Sequence, residues 1–281
     1  MSEQCPFCSY EFPPHVQACP HCGRPSRFPN VVAVGKTDKR EVLDARYREA
    51  CSQARSRNTE SVVQTFEDHV KKQAKVCIAR PLWEVERLSA SQNNVYVSFY
   101  NDVAAGSRLP EDHGWDRWRQ EADAIFFPNY RGEIRFGALS LNDAGPGKYG
   151  EAVMVLAETM IAHRTTLFET NSARYVKENP TITEVPSGQV AVWEDRAKLA
   201  VAKLAGDVGV DTEVADFPAI LLKDGPHDGD DYIEAHVYGP VTILTLSKVT
   251  FAPSSVKFRK KVFFKNMQRK LEKMGIAMEM P

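Results

Sequence analysis

Apolar positions recur at helical spacing over two stretches in the first third of the chain. Leu43, Tyr47, Ala50 and Ala54 mark one amphipathic helix, and Val63, Phe66, Val70, Ala74 and Cys77 mark a second. Asn58 and Thr59 supply caps between them, and Pro81 closes the region. Both helices carry dense charge on their other faces, the usual mark of a solvated surface. From Trp83 the pattern changes toward period two. Asn94 to Tyr100 reads as a strand, and Trp115 to Phe126 as a short helix. Ile134 to Leu141 and Ala152 to Leu156 read as strands joined by a turn rich in Asn, Asp, Gly and Pro. Trp193, Ala197, Val201 and Leu204 form an apolar stripe that Gly206 ends. Further strands are expected at Phe217 to Leu222, Tyr232 to Tyr238 and Val241 to Phe251. A closing helix follows over Phe263 to Met274, with Phe264, Met267, Leu271 and Met274 inward. Strands outnumber helices in this half without alternating regularly with them, which predicts an α+β domain with a mixed sheet.

The amino-terminal segment has a different texture. Cys5-Pro-Phe-Cys8 and Cys19-Pro-His-Cys22 are two C-x-x-C pairs, each able to turn two thiolates toward one ion. Two such pairs complete the four-sulfur shell of a structural zinc ribbon, and Gly23 follows where such a turn needs positive φ. A pair of disulfides is the alternative for four cysteines, and it belongs to secreted proteins. His21 is surplus to a filled shell. Cys51 and Cys77 read as small buried residues within helices. The chain is thus expected to divide into a zinc ribbon over 1–29, a helical linker over 30–81 and an α+β domain over 82–281.

Composition narrows the field a little. The chain has 281 residues and a net charge of −1, so no global field marks it as a nucleic-acid binder. No apolar run is long enough to span a membrane. Met1-Ser2-Glu3-Gln4 runs directly into the cysteine motif, so no signal peptide is expected and a cytoplasmic location follows. P-loop, G-x-G-x-x-G, G-x-S-x-G and H-E-x-x-H motifs are all missing from the sequence.

Two blocks carry candidate chemistry. The first runs from Leu141-Asn142-Asp143 through Lys148-Tyr149-Gly150 into an apolar strand, then to His163-Arg164-Thr165-Thr166 and Asn171-Ser172. The second is Asp231-Tyr232-Ile233-Glu234-Ala235-His236-Val237-Tyr238-Gly239-Pro240, followed by a second apolar strand. A basic helix, Gly275-Ile276 and a short strand close the chain. Taken in order from Trp83 onward, these blocks resemble the ADP-ribosyltransferase-like domains of bacterial and phage toxins and antiviral effectors. The resemblance implies a mixed-sheet domain that uses NAD as substrate and modifies a macromolecule, with an antitoxin or regulatory protein as partner. It implies Glu234 as the catalytic carboxylate, close to the ribose, where it would stabilise an oxocarbenium-like transition state. It places Ser140 and Asn142 on an inner strand and turn beside NAD, with Tyr149 stacking on nicotinamide. The family's residue for the adenosine end has three competing matches, Arg131, Arg135 and Arg164.

Other readings stand beside this one. The loop Asp224 to Asp231, with Glu234 and His236, offers hard oxygen and imidazole donors of the kind a metal-dependent nuclease uses, though such loops are most often solvated turns. Lys257, Arg259, Lys260, Lys261, Lys265, Arg269, Lys270 and Lys273 crowd one stretch near the carboxy end. They form either a solvated helix face or a surface that tracks the phosphates of RNA or DNA. A non-enzymatic zinc-ribbon protein that binds nucleic acid is therefore a second class of function.

Overall fold

The protein is described by a computed structural model over residues 3–5, 8–12, 18–23, 28–97, 100, 103, 114–225, 229–251 and 261–279. Its strands, in chain order, are β1 (Glu3–Gln4), β2 (Glu11–Phe12), β3 (Lys75–Arg80), β4 (Ile134–Ser140), β5 (Ala152–Leu156), β6 (Thr165–Phe168), β7 (Val190–Val192), β8 (Leu222–Lys223), β9 (Asp231–Tyr232), β10 (Glu234–Tyr238), β11 (Leu246–Phe251) and β12 (Ala277–Glu279). The described helices are α1 (Pro29–Val34), α2 (Thr37–Ser56), α3 (Glu60–Gln73), α4 (Leu82–Ser89), α5 (Gly114–Phe126), α6 (Glu158–Ile161), α7 (Ser172–Glu178), α8 (Arg196–Leu204), α9 (Phe217–Leu221) and α10 (Lys261–Lys273).

Among the described strands, β1 and β2 pair with each other as the small hairpin of the cysteine module. Eight strands form the main sheet in the order β12-β11-β5-β3-β4-β10-β6-β7. All neighbours are antiparallel except β11 and β12, so the sheet is mixed and the domain combines it with helices on both faces.

Strand periodicity sorts the side chains onto two faces. One face carries Val76, Ile78, Leu139, Met154, Leu167, Ala235, Val237 and Val249. These share one core with Leu43, Ala50 and Ala54 of α2, Val63, Phe66 and Val70 of α3, and Leu199, Ala200 and Leu204 of α8. The opposite face carries Phe136, Phe168 and Val190, which pack with Phe126 of α5 and Tyr175 of α7. Glu234 and His236 lie on this second face, because Glu234 stands opposite Ala138 and Phe168, and His236 opposite Phe136 and Thr166.

Several elements differ from the periodicity argument. Cys77 is not helical: α3 stops at Gln73, Ala74 is extended, and Cys77 sits in β3. The run Val76-Cys77-Ile78-Ala79 is buried on both faces, and such a run has no period of its own to separate strand from helix. The consequence reaches the domain plan. Residues 30–81 are not a separate linker, because β3 lies between β4 and β5 in the sheet and α2 and α3 cover it. Of the strand expected over Asn94 to Tyr100, only Val95 bridges, to Thr242, while Ser98 and Phe99 lie outside the described residues. Phe217–Leu221 is a helix instead of a strand, with Pro218 in its first turn where a missing N–H costs nothing. The strand expected from Val241 begins only at Leu246, after a single 3-10 turn over Ile243–Thr245.

One glycine fixes how the Tyr149 segment meets the sheet. Gly150 has φ +144°, and a Cβ there would stand 2.1 Å from the Arg80 carbonyl carbon. Only glycine permits the chain to pass so close to the end of β3 before entering β5. Among the described residues, no helix is long and apolar enough to cross a membrane.

Candidate functional site

The thiols of Cys5, Cys8, Cys19 and Cys22 lie within 4.8 Å of one another, so the two motifs converge on one point. Cys5 Sγ and Cys22 Sγ are 3.5 Å apart, and Cys8 Sγ and Cys19 Sγ 3.6 Å. These separations are far longer than a disulfide and close to the edge of a sulfur tetrahedron around one ion. All four cysteines are free. Backbone turns build the cluster: Ser9 N–H donates to Cys5 O and Gly23 N–H to Cys19 O, with Ser9 and Gly23 both at positive φ. Burial raises the Cys19 thiol, but the N–H groups of Cys22 and His21 outweigh it and lower it to about 6, which favours the thiolate a metal needs. His21 stacks its ring on Tyr10, 5.5 Å between centroids, and leaves the four sulfurs as the donor set.

A second constellation surrounds Glu234. The Glu234 side chain is 2 % exposed, yet both of its oxygens are bonded. Arg119 Nη2 donates to Oε1 at 2.9 Å. Ser172 donates to Oε2 through its hydroxyl at 2.5 Å and its backbone N–H at 3.0 Å. His236 Nε2 stands 3.0 Å from the same oxygen. Each donor has a structural reason to be there. Asn171 caps α7 by accepting from Arg174 N–H, which seats Ser172 in the first helical position facing β10. His236 lies two residues along β10, on the same face, and its ring is walled by Phe126, Phe127 and Phe136. Arg119 projects from α5 over the Phe136 ring, 4.1 Å from its centroid, and also donates to Ser172 Oγ at 2.8 Å.

The charges are arranged to keep Glu234 ionised. Burial alone would raise its pKa, but the Arg119 charge and the His236 and Ser172 contacts hold it well below the usual carboxylate range. Arg119 also faces a second carboxylate, Asp123, at 3.5 Å. Asp123 is fully buried, accepts from Tyr100 OH at 2.9 Å, and leaves its Oδ1 without a hydrogen-bond donor. Burial raises it to about 6 despite the pull of Arg119. Two carboxylates that share one guanidinium are thus pushed apart, one ionised and one inclined to hold a proton.

The network reaches the surface beside Tyr149. Tyr149 is 37 % exposed, and its hydroxyl lies 3.4 Å from that of buried Tyr232. Tyr232 accepts from Asn171 Nδ2 at 2.8 Å, next to Ser172. Hydrogen-bonding groups therefore run from solvent through Tyr149 and Tyr232 to Asn171, the chain neighbour of the Ser172 that donates to Glu234.

The remaining sequence-derived residues fall elsewhere. Ser140 ends β4 two residues beyond Ala138, which stands opposite Glu234, and donates to Asn142 Oδ1 at 3.0 Å; neither of these two hydrogen-bonds to Glu234. Arg164 spends its guanidinium on carbonyl groups, Met160 O at 2.9 Å, Tyr238 O at 2.5 Å and Pro240 O at 3.0 Å. Arg135 does the same with Gly132 O and Ile134 O. Arg131 alone of the three stands near the network, over the Tyr100 ring at 5.2 Å. In the acidic loop, Pro226, His227 and Asp228 lie outside the described residues. Asp230 pairs with Lys148 and Asp231 with Lys203, each at 2.7 Å, while Asp224 accepts from Gly147 N–H. Among the described residues, only the four cysteines gather closely enough to hold a metal.

Sequence reasoning missed Arg119, Asp123, Ser172 and His236 as a set. A signal existed for the first two. Arg119 and Asp123 share the side of α5 that carries buried Ala122 and Phe126, where a charge needs a partner. No family model, curated protein or solved structure matches the chain.

Proposed function

We propose that the protein is a NAD-dependent ADP-ribosyltransferase with an appended zinc ribbon, acting on a macromolecular acceptor. The observation that carries this reading is the buried carboxylate of Glu234 on an inner strand, held by Arg119, Ser172 and His236. In the proposed reaction the bond between nicotinamide and ribose C1′ breaks, and nicotinamide leaves with the electron pair. The acceptor's nucleophilic atom then bonds to C1′ and its proton is released. Glu234 would accept a hydrogen bond from a ribose hydroxyl and offset the positive charge growing on the sugar. Arg119, the partly exposed member of the cluster, is the group that would move aside to admit the ribose. Tyr149 offers a ring face to nicotinamide, as the resemblance implies.

The four thiols fit zinc in donor type, number and spacing, and we assign that metal a structural role. In that role it would fix the two turns of the ribbon and supply no chemistry to the Glu234 site.

The test is incubation with labelled NAD and cell extract, followed by detection of transferred label. Glu234→Gln should abolish transfer, and Tyr149→Ala, at an exposed position, should reduce it with the fold intact. Absence of transfer by the wild-type protein, or equal transfer by Glu234→Gln, overturns the reading.

A further inference from the structure

The outer face of α10 has a composition that the proposed chemistry does not use. Phe264, Met267 and Leu271 are buried in the core, which fixes the helix's orientation. The same geometry sends Lys265, Arg269 and Lys273 into solvent in one row, with Lys270 beside them. Successive members of the row are about 6 Å apart along the axis. Elsewhere, Lys72, Lys75, Lys148, Lys203, Lys223 and Lys248 each sit on a carboxylate. Among the described residues, no carboxylate pairs with any of the four α10 cations. The one acid of the helix, Glu272, sits at the edge of this row and accepts from Gln268.

We propose that this row is the docking surface for a nucleic-acid strand, read through its phosphates. Charge complementarity selects a polyanion, because four cations without a carboxylate partner share one helix face with a single acid. A membrane surface fits less well. Amphipathic helices bind lipid by burying their apolar face, and here that face is already committed to the protein core. A second feature favours nucleic acid over a plain acidic partner. α10 packs against α4, and α4 carries Trp83 with 60 % of its surface exposed. Trp83 thus belongs to the helix that neighbours α10, and an exposed indole is the kind of group on which an unpaired base stacks. The surface therefore suits single-stranded RNA or DNA with weak sequence preference. It stands independently of the transferase reading, and would name the acceptor class if that reading holds.

The experiment is fluorescence anisotropy of mixed-sequence single-stranded DNA and RNA oligonucleotides with the full chain, without NAD, across a salt series. Binding should weaken steeply with salt. K265Q/R269Q/K273Q should lose about tenfold or more in affinity and flatten the log–log salt slope by about 2. W83A should weaken binding about tenfold while leaving the slope unchanged. K71Q/K72Q/K223Q, which removes the same charge elsewhere, should bind as wild type. The proposal is overturned if wild type does not bind, if the α10 triple variant binds as wild type with an unchanged melting temperature, or if both triple variants lose affinity equally. Binding to phosphatidylserine vesicles in place of oligonucleotides would also overturn it. Failure of NAD transfer with oligonucleotide binding intact would sink the transferase alone.

Discussion

Arg119 reaches Glu234 across 2.9 Å from a different layer of the fold, helix to strand, with the carboxylate out of contact with water. Removing one partner leaves a charge stranded in low dielectric. Arg119→Ala is therefore expected to cost about 3 kcal/mol of stability, and Arg119→Met with Glu234→Met considerably less than the single change. Urea denaturation of the two variants measures both, and equal losses would show that Glu234 does not depend on Arg119.

Asp123 makes a prediction of opposite sign. Its folded-state pKa is raised to about 6, above the value of 3.8 for an exposed aspartate. Folding therefore favours the protonated form. That contribution is fully present below pH 4 or so and is lost as pH rises through about 6. Asp123→Asn removes the penalty of ionisation. The variant should be more stable than wild type above neutral pH, by something on the order of 2 kcal/mol, with the gain vanishing in acid. The difference between the two proteins is the quantity to follow, since any effect of acid on the cysteine cluster cancels. A gain that does not change with pH would contradict the assignment.

Among its described residues, the cysteine module has little besides the four thiols to hold it together. Its described apolar core is Cys5, Phe12 and Cys19, with Cys8 packed alongside, and its hairpin strands are two residues each. Chelation should unfold the module with the transition of the main sheet unchanged. One metal per chain is expected by elemental analysis. Cys5→Ser should abolish binding, and Cys51→Ser should leave it intact. Limited proteolysis with and without chelator checks the unfolding, and cleavage confined to the ribbon is the expected pattern.

Gly150→Ala tests the approach of the Tyr149 turn to β3. The added methyl would meet the Arg80 carbonyl carbon at 2.1 Å, and the backbone sits at positive φ. A loss of about 3 kcal/mol or more is expected in thermal or chemical denaturation, against a few tenths for Gly206→Ala, where a Cβ meets nothing within 4 Å.

What the sequence revealed of the site follows the range of the interactions. The cysteine cluster was legible because two local turns build it. Glu234 stood out as a lone carboxylate ahead of an apolar strand. Ser172 was one step away, since Asn171 is a good helix cap and the first residue after a cap points back toward the preceding strand. Arg119 was not legible as a partner, because it comes from a helix 115 positions distant in the chain. Ser140 shares a face with Glu234 and lies two residues beyond Ala138, which stands opposite Glu234 in the neighbouring strand; that its hydroxyl turns to Asn142 is a detail no sequence pattern declares. Cys77 was placed in a helix because a strand buried on both faces has no alternation to declare it.

That strand has a kinetic consequence. β3 comes early in the chain, yet it must insert between β4 and β5, which are formed from residues far downstream. Until it does, β4 and β5 each present an open hydrogen-bonding edge. The helices that precede β3 can form quickly on their own, whereas closing the sheet waits on contacts of long sequence separation, and these set slow folding rates. A chain in which β4 and β5 formed before β3 joined them would expose two bare edges to pairing with another copy.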